Sequence, residues 1–288
     1  DSAGAACLIF GKAGGFVTLD LASFTSSDST GYVIQGAEVG DEFGYSVSAA
    51  GDVDGNGYAD VIVGALYARR PAVPSSQRSG QLTASPSTNI EVSAQVQSTV
   101  DLASFVSGDS TGYVVQDSRA GNSFGNYLGG SVSAAGDVNS DGYGDFIVSA
   151  QVGDDRYTGA AYVILGKAGG FSSLDLAGFT SSDSTGYVIQ GAEVGDEFGY
   201  SVSAAGDVNG DGYADVIVGA PGADPNGRSS AGAAYLILGK AGGFSSLDLA
   251  GFNSSDSTGY IIQGAVVNDY LGTSVSAAGD VNGDGYAD

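Results

Sequence analysis

The sequence has 288 residues, of which 42% are hydrophobic and 10% aromatic, and this apolar content is sufficient for a buried core. Its 33 acidic and 9 basic residues give a formal net charge of −24 at pH 7, which argues against a nucleic-acid partner because such partners need a basic surface. Histidine is absent and Cys7 is the single cysteine, so the commonest general base and any intrachain disulfide are excluded. No stretch approaches the roughly 20 apolar residues of a membrane-spanning helix.

Read in order, the chain is a series of short strand-like segments separated by Gly, Asp and Ser turns. In the first unit, the apolar segment 5–10 predicts a strand that ends in the glycine turn 11–15, and residues 32–36 predict a second strand. The small residues 46–51 predict a third strand, and the run 59–65 predicts a fourth. No segment has the period of a helix, so we expect an all-β structure with four antiparallel strands in each unit.

The glycine turn recurs at 166–170 and 239–243 as Gly-Lys-Ala-Gly-Gly. A phosphate-binding loop needs a glycine five residues before the Gly-Lys pair and a Ser or Thr after it, and both are missing here. A turn between strands is therefore the better interpretation.

The whole pattern repeats along the chain. Residues 16–65 and 171–220 are both 50 residues long and differ at five positions. A repeat of this length with several short strands in each unit is typical of propeller blades. The expected units are a partial blade at 1–36, a blade at 37–116 with a divergent segment at 66–97, blades at 117–190 and 191–264, and a partial blade at 265–288.

The divergent segment 66–97 interrupts the repeat, because it lacks the expected strand and Gly-Lys turn. Both of its flanks keep the register of the repeat. Two explanations remain open: a long divergent surface loop, or a shifted reading frame in the source sequence. Apolar and polar residues alternate at 89–97, which predicts a replacement edge strand there.

A nine-residue loop at 207–215 carries the clearest chemistry. It has oxygen-bearing side chains at positions 1, 3, 5 and 9 and a glycine at position 6, and the pattern recurs at 52–60, 137–145 and 280–288. Oxygen ligands that alternate around a glycine turn are how a short loop wraps a hard cation such as Ca²⁺. The predicted side-chain ligands are Asp52, Asp54, Asn56 and Asp60; Asp137, Asn139, Asp141 and Asp145; Asp207, Asn209, Asp211 and Asp215; and Asp280, Asn282, Asp284 and Asp288.

Turn formation without a metal is the competing interpretation, since Asp, Asn and Gly favour tight turns. Four copies that all keep the ninth aspartate favour a metal site. The first loop exchanges Asp and Asn at positions 3 and 5, which keeps the number of ligands and their charge. An EF-hand is excluded, because position 12 is Val63, Val148 or Val218 instead of Glu and the flanking segments are strand-like.

In each unit a Phe-Gly pair precedes a small-residue strand and the nine-residue loop follows, and Gly-Ala-Pro ends the next strand at 219–221. The pairs are Phe43–Gly44, Phe124–Gly125 and Phe198–Gly199, with Leu271–Gly272 in the last unit. The order of these motifs resembles the FG-GAP repeat, the blade motif of the integrin alpha-chain β-propeller and of many large bacterial surface and secreted proteins.

The resemblance implies a β-propeller of about four blade equivalents, as part of a larger propeller in a longer protein. It also implies Ca²⁺, up to four ions, in the hairpins between the first and second strands of each blade. It assigns a backbone-carbonyl ligand to the tyrosine at position 7 of each loop, which is Tyr58, Tyr143, Tyr213 or Tyr286.

These observations predict a non-catalytic, calcium-stabilised module for cell adhesion or extracellular recognition, located at the cell surface or secreted. The expected partner is an extracellular protein or carbohydrate, with no nucleic acid and no membrane insertion, and no catalytic residue is assigned. An accessory propeller of a secreted phospholipase-like hydrolase and a structural spacer in a giant surface protein are the alternatives. The connectors 151–158 and 221–230 differ between units, so they are expected to carry specificity and to expose Arg156 and Arg228.

Because the four loops belong to different blades, the sequence also predicts that Asp207→Ala weakens its own site far more than the other three. The last loop is expected to bind most weakly, because Asp288 ends the sequence without a following strand.

Overall fold

The structure is a computed structural model, and it describes residues 5–9, 31–35, 42–65, 100–101, 115–116, 127–151, 158–171, 174–176, 179, 185–254 and 257–288. Regular structure in this part of the chain is β-strand, with short 3₁₀ turns such as Pro225–Gly227 and no α-helix, which confirms the all-β prediction. The described residues contain no helix of the length and hydrophobicity needed to cross a membrane.

The described part of the chain contains sixteen strands, which are numbered in chain order. They are β1 (Ala5–Ile9), β2 (Gly31–Gln35), β3 (Phe43–Gly51), β4 (Asp60–Ala65), β5 (Val100–Asp101), β6 (Val115–Gln116), β7 (Leu128–Gly136), β8 (Asp145–Ala150), β9 (Ala160–Ile164), β10 (Leu174–Asp175), β11 (Gly186–Gln190), β12 (Ser201–Gly206), β13 (Asp215–Ala220), β14 (Ala233–Ile237), β15 (Leu247–Asp248) and β16 (Gly259–Gln263).

Two sheets contain the predicted four antiparallel strands in chain order. One has the order β7-β8-β9-β11 and is called blade 2, and the other has the order β12-β13-β14-β16 and is called blade 3. The hairpin β3–β4 is the corresponding part of blade 1, and β1 pairs with β2 in a separate sheet. The glycine turn 11–15 and the segment 66–97, with its predicted strand at 89–97, lie outside the described residues.

The two-residue strands join each sheet to the next in a way that the sequence did not predict. Leu247–Asp248, which follows the third strand of blade 3, pairs in parallel with the outer strand β11 of blade 2. The N–H of Leu249 continues this pairing by donating a hydrogen bond to Gln190 O at 3.0 Å, which is a typical N–H···O distance. The strands β5 and β10 pair in the same parallel manner with β2 and β6. The strands β2, β6 and β11 are thereby each covered by a segment from further along the chain.

The hydrophobic core lies between the sheets. Blade 2 contributes Ile147, Val163 and Tyr187 to its contact with blade 3, which contributes Val218 and Tyr235. The opposite face of blade 2 packs against blade 1 through a second cluster that includes Val53, Phe146, Val148, Tyr162 and Ile164. Because both faces of β8 and β9 are buried, their sequences are continuous apolar runs without strict alternation.

The second unit begins at a different residue pair from the Phe-Gly pair that was assigned to it from the sequence. Strand β7 begins at Leu128–Gly129, which takes the place that Phe43–Gly44 takes at the start of β3. The pair Phe124–Gly125, which was assigned because its residue types match the motif, comes before this strand in the sequence and lies outside the described residues. The residue before the true pair has a positive φ in all four units: Glu42 (51°), Tyr127 (47°), Glu197 (56°) and Tyr270 (51°).

Because the strands are antiparallel, the loops and turns of each sheet fall into two groups, one at each end of the strands. The nine-residue loops and the Gly-Lys turns share one edge, called the loop edge, where Gly166 N–H donates to Asp145 Oδ1 (2.7 Å). The opposite edge, called the connector edge, holds the links between the second and third strands and those between blades. There, Gly222 N–H donates to Asp196 O (3.1 Å).

On the connector edge, Arg228 is half-buried and its Nε donates to Gly264 O (3.1 Å). It therefore lies outside the apolar core, as predicted, but is less exposed than expected. Arg156 lies outside the described residues.

Candidate metal centres at the loop edge

Each nine-residue loop connects the first two strands of a sheet. The loops lie between β3 and β4, between β7 and β8, and between β12 and β13. The fourth begins at Asp280 and has the same closure, since Ala278 N–H donates to Asp288 O and Asp288 N–H donates to Gly279 O, both at 2.9 Å. All four predicted loops therefore adopt one conformation.

The first aspartate organises each loop. In the second loop, Asp137 Oδ1 accepts from Asp141 N–H (3.0 Å) and Asp137 Oδ2 accepts from Gly142 N–H (2.9 Å). Asp52, Asp207 and Asp280 accept the corresponding two N–H groups in their own loops. These short bonds curl the chain around the first carboxylate, so the conformation follows from the Asp at position 1.

The glycine at position 6 makes this curl possible. Gly57, Gly142, Gly212 and Gly285 have φ values of 89°, 93°, 90° and 92°. In this left-handed region an L-residue is strained by roughly 1–2 kcal/mol, which glycine avoids.

The ninth aspartate is the deepest carboxylate. Asp145 and Asp215 are fully buried, with 0% exposure. Asp145 Oδ2 accepts from Val138 N–H (2.8 Å) and its Oδ1 accepts from Gly166 N–H, whereas Asp215 accepts from Val208 and Gly239. The strand β8 or β13 starts at this residue, so one side chain fixes both ends of its loop.

Burial and charge repulsion raise the pKa values of these carboxyls. Burial is the larger cause for Asp145, whose pKa rises to about 7, and the neighbouring Asp141 and Asp137 raise it further against the effect of its N–H donors. The pKa values of Asp60 and Asp215 are also raised, again mainly by burial. A carboxylate gathered with like charges in a buried place favours a bound cation.

The first loop brings three carboxylates together. One oxygen from each of Asp52, Asp54 and Asp60 lies within 4.8 Å of the others, and among the described residues this is the one such group. Ligands that bind Ca²⁺ at about 2.3–2.6 Å can be separated by up to roughly 5 Å, so the donor set fits a hard divalent cation.

The exchange of Asp and Asn changes the geometry of the other loops. In the second loop the amide Nδ2 of Asn139 donates to Asp141 Oδ2 (2.9 Å), and in the third loop Asn209 donates to Asp211 Oδ2 (2.8 Å). The exchange keeps the number of charges, but position 3 of the second and third loops is an asparagine amide, whereas position 3 of the first loop is the carboxylate of Asp54. No described residue donates a hydrogen bond to the main-chain carbonyls of the position-7 residues Tyr58, Tyr143, Tyr213 and Tyr286.

Contacts between loops are the feature that sequence reasoning missed. The N–H at position 8 of each loop donates to the carbonyl at position 1 of the preceding loop: Gly144 to Asp52 (2.9 Å), Ala214 to Asp137 (3.1 Å) and Ala287 to Asp207 (3.1 Å). Loops that begin 70 to 85 residues apart in sequence are therefore adjacent, although they belong to different blades. The expectation that Asp207→Ala weakens mainly its own site stays a prediction.

The Gly-Lys turns take part in the same contacts. Lys167 N–H donates to Val53 O (2.9 Å) and Gly169 N–H donates to Asp54 O (3.0 Å), while Gly166 N–H holds Asp145. The turn thus joins the ninth aspartate of its own loop to positions 2 and 3 of the preceding loop. The Lys167 ammonium lies 4.4 Å from the centroid of the Phe171 ring, so the lysine packs on its own turn.

Comparison with known proteins agrees with this organisation. A family model of the FG-GAP repeat matches residues 43–83, 128–164 and 198–237, and its second match begins at the corrected pair Leu128–Gly129.

Relatives of known name match most of the chain. Integrin alpha-PS2 of Drosophila melanogaster is 29% identical over 191 residues, which are 66% of this chain and 12% of that protein. Integrin alpha pat-2 of Caenorhabditis elegans is 30% identical over 264 residues, 86% of this chain and 17% of that protein. A phosphatidylinositol-glycan-specific phospholipase D of Dictyostelium discoideum is 32% identical over 163 residues, 53% of this chain and 16% of that protein.

The chain therefore spans between 12% and 17% of the length of these relatives. Its three repeat matches coincide with the strand–loop–strand units of the sheets, so sequence family and fold agree. The chain belongs to the FG-GAP repeat proteins, and its antiparallel sheets are blades of a β-propeller.

Proposed function

We propose that this protein is a calcium-binding, non-catalytic module that recognises an extracellular protein or carbohydrate. The observation that carries the proposal is the triad of Asp52, Asp54 and Asp60 in a loop whose conformation recurs four times. The proposed ligands are the oxygens at positions 1, 3, 5 and 9 and the carbonyl of the position-7 tyrosine in each loop.

A bound cation would neutralise the carboxylates that each loop gathers. The chain's own residues supply the rest of the site, because main-chain N–H groups already hold the carboxylates at positions 1 and 9 in place. At a free calcium concentration of 100 times Kd, each site would add up to about 2.7 kcal/mol to the free energy of unfolding. Extracellular calcium modules bind with Kd values of about 10⁻⁴–10⁻³ M, and loops of that affinity would be filled outside the cytosol, where we place this protein.

The connector edge is the proposed recognition surface. Large apolar side chains are exposed in the links between blades, with 70% exposure for Val194, 59% for Val266 and 54% for Val267. The connector 221–230 differs from its counterparts in other units and exposes Asp224 and Asn226. Exposed apolar side chains next to variable polar loops are typical of a protein-binding surface.

Calorimetric titration of the 288-residue chain, after treatment with a chelator, tests the proposal. We expect saturable binding of up to four Ca²⁺ and a rise in the unfolding midpoint. Asp52→Asn should remove one binding event, whereas Glu193→Gln, which changes an exposed acid outside the loops, should remove none. The absence of binding heat up to about 10 mM Ca²⁺, above the range of extracellular modules, with an unchanged midpoint would refute the proposal.

Two other functions remain to be separated from this one. The match to a phospholipase D favours an accessory propeller of a secreted hydrolase as the second candidate. We expect the chain alone to give no turnover of phosphatidylinositol-glycan substrates, and turnover that saturates with substrate would show that the chain is itself a hydrolase and would refute both candidates. A purely structural spacer would bind calcium but show no adhesion to extracellular matrix proteins or glycans.

A further inference from the structure

The loop edge connects the candidate metal centres to one another through side-chain packing as well as hydrogen bonds. A Cβ atom at Gly55, position 4 of the first loop, would overlap the ring of Tyr143, position 7 of the second loop. A Cβ atom at Gly210 in the third loop would likewise overlap the ring of Tyr286 in the fourth. The position-7 side chain of one loop therefore lies directly on the backbone of the loop before it.

The hydrogen bonds at the same boundary hold the backbone that carries the predicted ligands. Asp52 O accepts from Gly144, Val53 O from Lys167 and Asp54 O from Gly169, so three consecutive carbonyls of the first loop are bound by the following blade. At the next boundary, Asp137 O and Val138 O accept from Ala214 and Lys240 at 3.1 Å and 3.0 Å. We call this set of contacts between consecutive loops the loop seam.

We propose that consecutive loops bind calcium cooperatively through the loop seam, so that a filled loop raises the affinity of its neighbours. This inference rests on the proposed function. A cation in the second loop would restrain Tyr143, whose carbonyl is a proposed ligand, and the adjoining Gly144, and both residues contact the backbone of the first loop. The first loop then loses less conformational entropy when it binds its own ion, which is positive cooperativity without a large change of structure.

Electrostatic repulsion acts in the opposite direction. A cation in one loop reduces the negative potential that attracts a second cation to the next loop. Repulsion between exposed charges is screened over about 8 Å at physiological ionic strength, whereas the hydrogen bonds and the ring contact of the seam are not screened in this way. Cooperativity should therefore increase when the ionic strength is raised.

The test isolates the first two loops in the full chain. Asp207→Asn and Asp280→Asn disable the third and fourth loops, and calorimetry with CaCl₂ then measures the remaining two. Adding Asp137→Asn to this background should weaken binding at the first loop by about 5-fold or more, the lower range for coupled sites. Adding Asp52→Asn instead should weaken the second loop by the same factor, because coupling between two sites is reciprocal.

Variants of the seam separate coupling from loss of folding. Tyr143→Ala removes the ring from Gly55 but leaves every side-chain ligand and the carbonyl at position 143, and it should lower the coupling factor, while the main-chain hydrogen bonds of the loop seam retain part of it. Tyr143→Phe keeps the ring and should keep the coupling. As the control, Asp280→Asn in an otherwise unchanged chain should alter the first loop much less than Asp137→Asn does, since the described contacts join consecutive loops only.

The outcomes distinguish this inference from the proposed function. If no loop binds calcium, both are wrong. If both loops bind and neither affinity depends on its neighbour, the coupling is refuted and the proposed function stands. Unequal effects of Asp137→Asn and Asp52→Asn, or an equal effect of the distant Asp280→Asn, would also overturn the coupling, because they would indicate a general loss of stability.

Discussion

Two glycines of the first loop test the packing between loops independently of calcium. Gly55 and Gly57 lie two residues apart, and both have left-handed φ values, 73° and 89°. A Cβ atom at Gly57 would meet no atom within 4 Å, whereas one at Gly55 would overlap the ring of Tyr143 from the next loop. Alanine at either position therefore meets the same kind of backbone strain, but at Gly55 it also meets the neighbouring blade.

The expected losses follow from these two contributions. A left-handed conformation costs alanine about 1–2 kcal/mol, and the lower entropy of its unfolded chain returns about 0.4–1 kcal/mol. Gly57→Ala should thus lower the free energy of unfolding by about 1 kcal/mol. Gly55→Ala should lose a further ~1–3 kcal/mol, the usual range for inserting a methyl group into packed surroundings.

Urea unfolding in the presence of a chelator, followed by circular dichroism, measures both losses without a contribution from bound calcium. In a Tyr143→Ala background the ring is gone, so Gly55→Ala should then cost no more than Gly57→Ala. Equal losses for the two glycines in the unchanged chain, or an excess at Gly55 that persists without the ring, would show that the loops do not pack as described.

Three further substitutions test other parts of the fold. Burial, with the nearby Glu193, raises the pKa of Asp196 to about 6, so its contribution to stability is present below about pH 4 and is lost as the pH rises through 6. The free energy of unfolding should therefore fall over that window in the unchanged chain relative to Asp196→Asn, and a constant difference would contradict this cause. Ser140 occupies a left-handed position (φ 56°) where the other loops have glycine, so Ser140→Gly should raise the unfolding free energy by up to about 1 kcal/mol in urea titrations. The buried Ser201 Oγ donates to Gly272 O (2.8 Å), and Ser201→Ala should lower the unfolding free energy by about 1–3 kcal/mol, whereas no loss would show that the bond is dispensable.

The loops were the most predictable part of the molecule, because their conformation depends on neighbouring residues. Asp at position 1 and Gly at position 6 are sufficient to specify the curl that all four copies adopt. The strands next to the loops were equally predictable from sequence, since short apolar runs bounded by turn residues indicate both that a strand forms and how long it is. The four-stranded order of blades 2 and 3 followed from the same local signals.

The start of the second unit was assigned wrongly because the residue types Phe and Gly were given more weight than their distance from the nine-residue loop. Phe124–Gly125 matches the motif, but Gly129 stands two residues before Ser131, as Gly44 stands two residues before Ser46. Counting back from the loop would have selected Leu128–Gly129, because hydrogen bonding across the hairpin fixes the distance from the loop to the start of the strand.

Contacts between units could not be predicted, because they join residues that are far apart in sequence. The pairing of Leu247–Asp248 with the outer strand of the preceding blade depends on how two complete sheets stack. One signal was present for the loop seam: tyrosine recurs at position 7 although its side chain is not a predicted ligand. The packing of the Tyr143 and Tyr286 rings on the preceding loops gives this recurrence a physical reason.

The fold and the proposed cation both require a carboxylate at position 9 of the loop. Asp145 accepts N–H groups from Val138 in its own loop and from Gly166 in the Gly-Lys turn, so the hairpin and the seam both need an acceptor with two free oxygens. Those donors favour the charged carboxylate, while burial beside two other acids raises its pKa and favours the neutral acid. An amide in its place would present an N–H group to a donor. A divalent cation removes the conflict, because it stabilises the charged form that the two N–H groups already require.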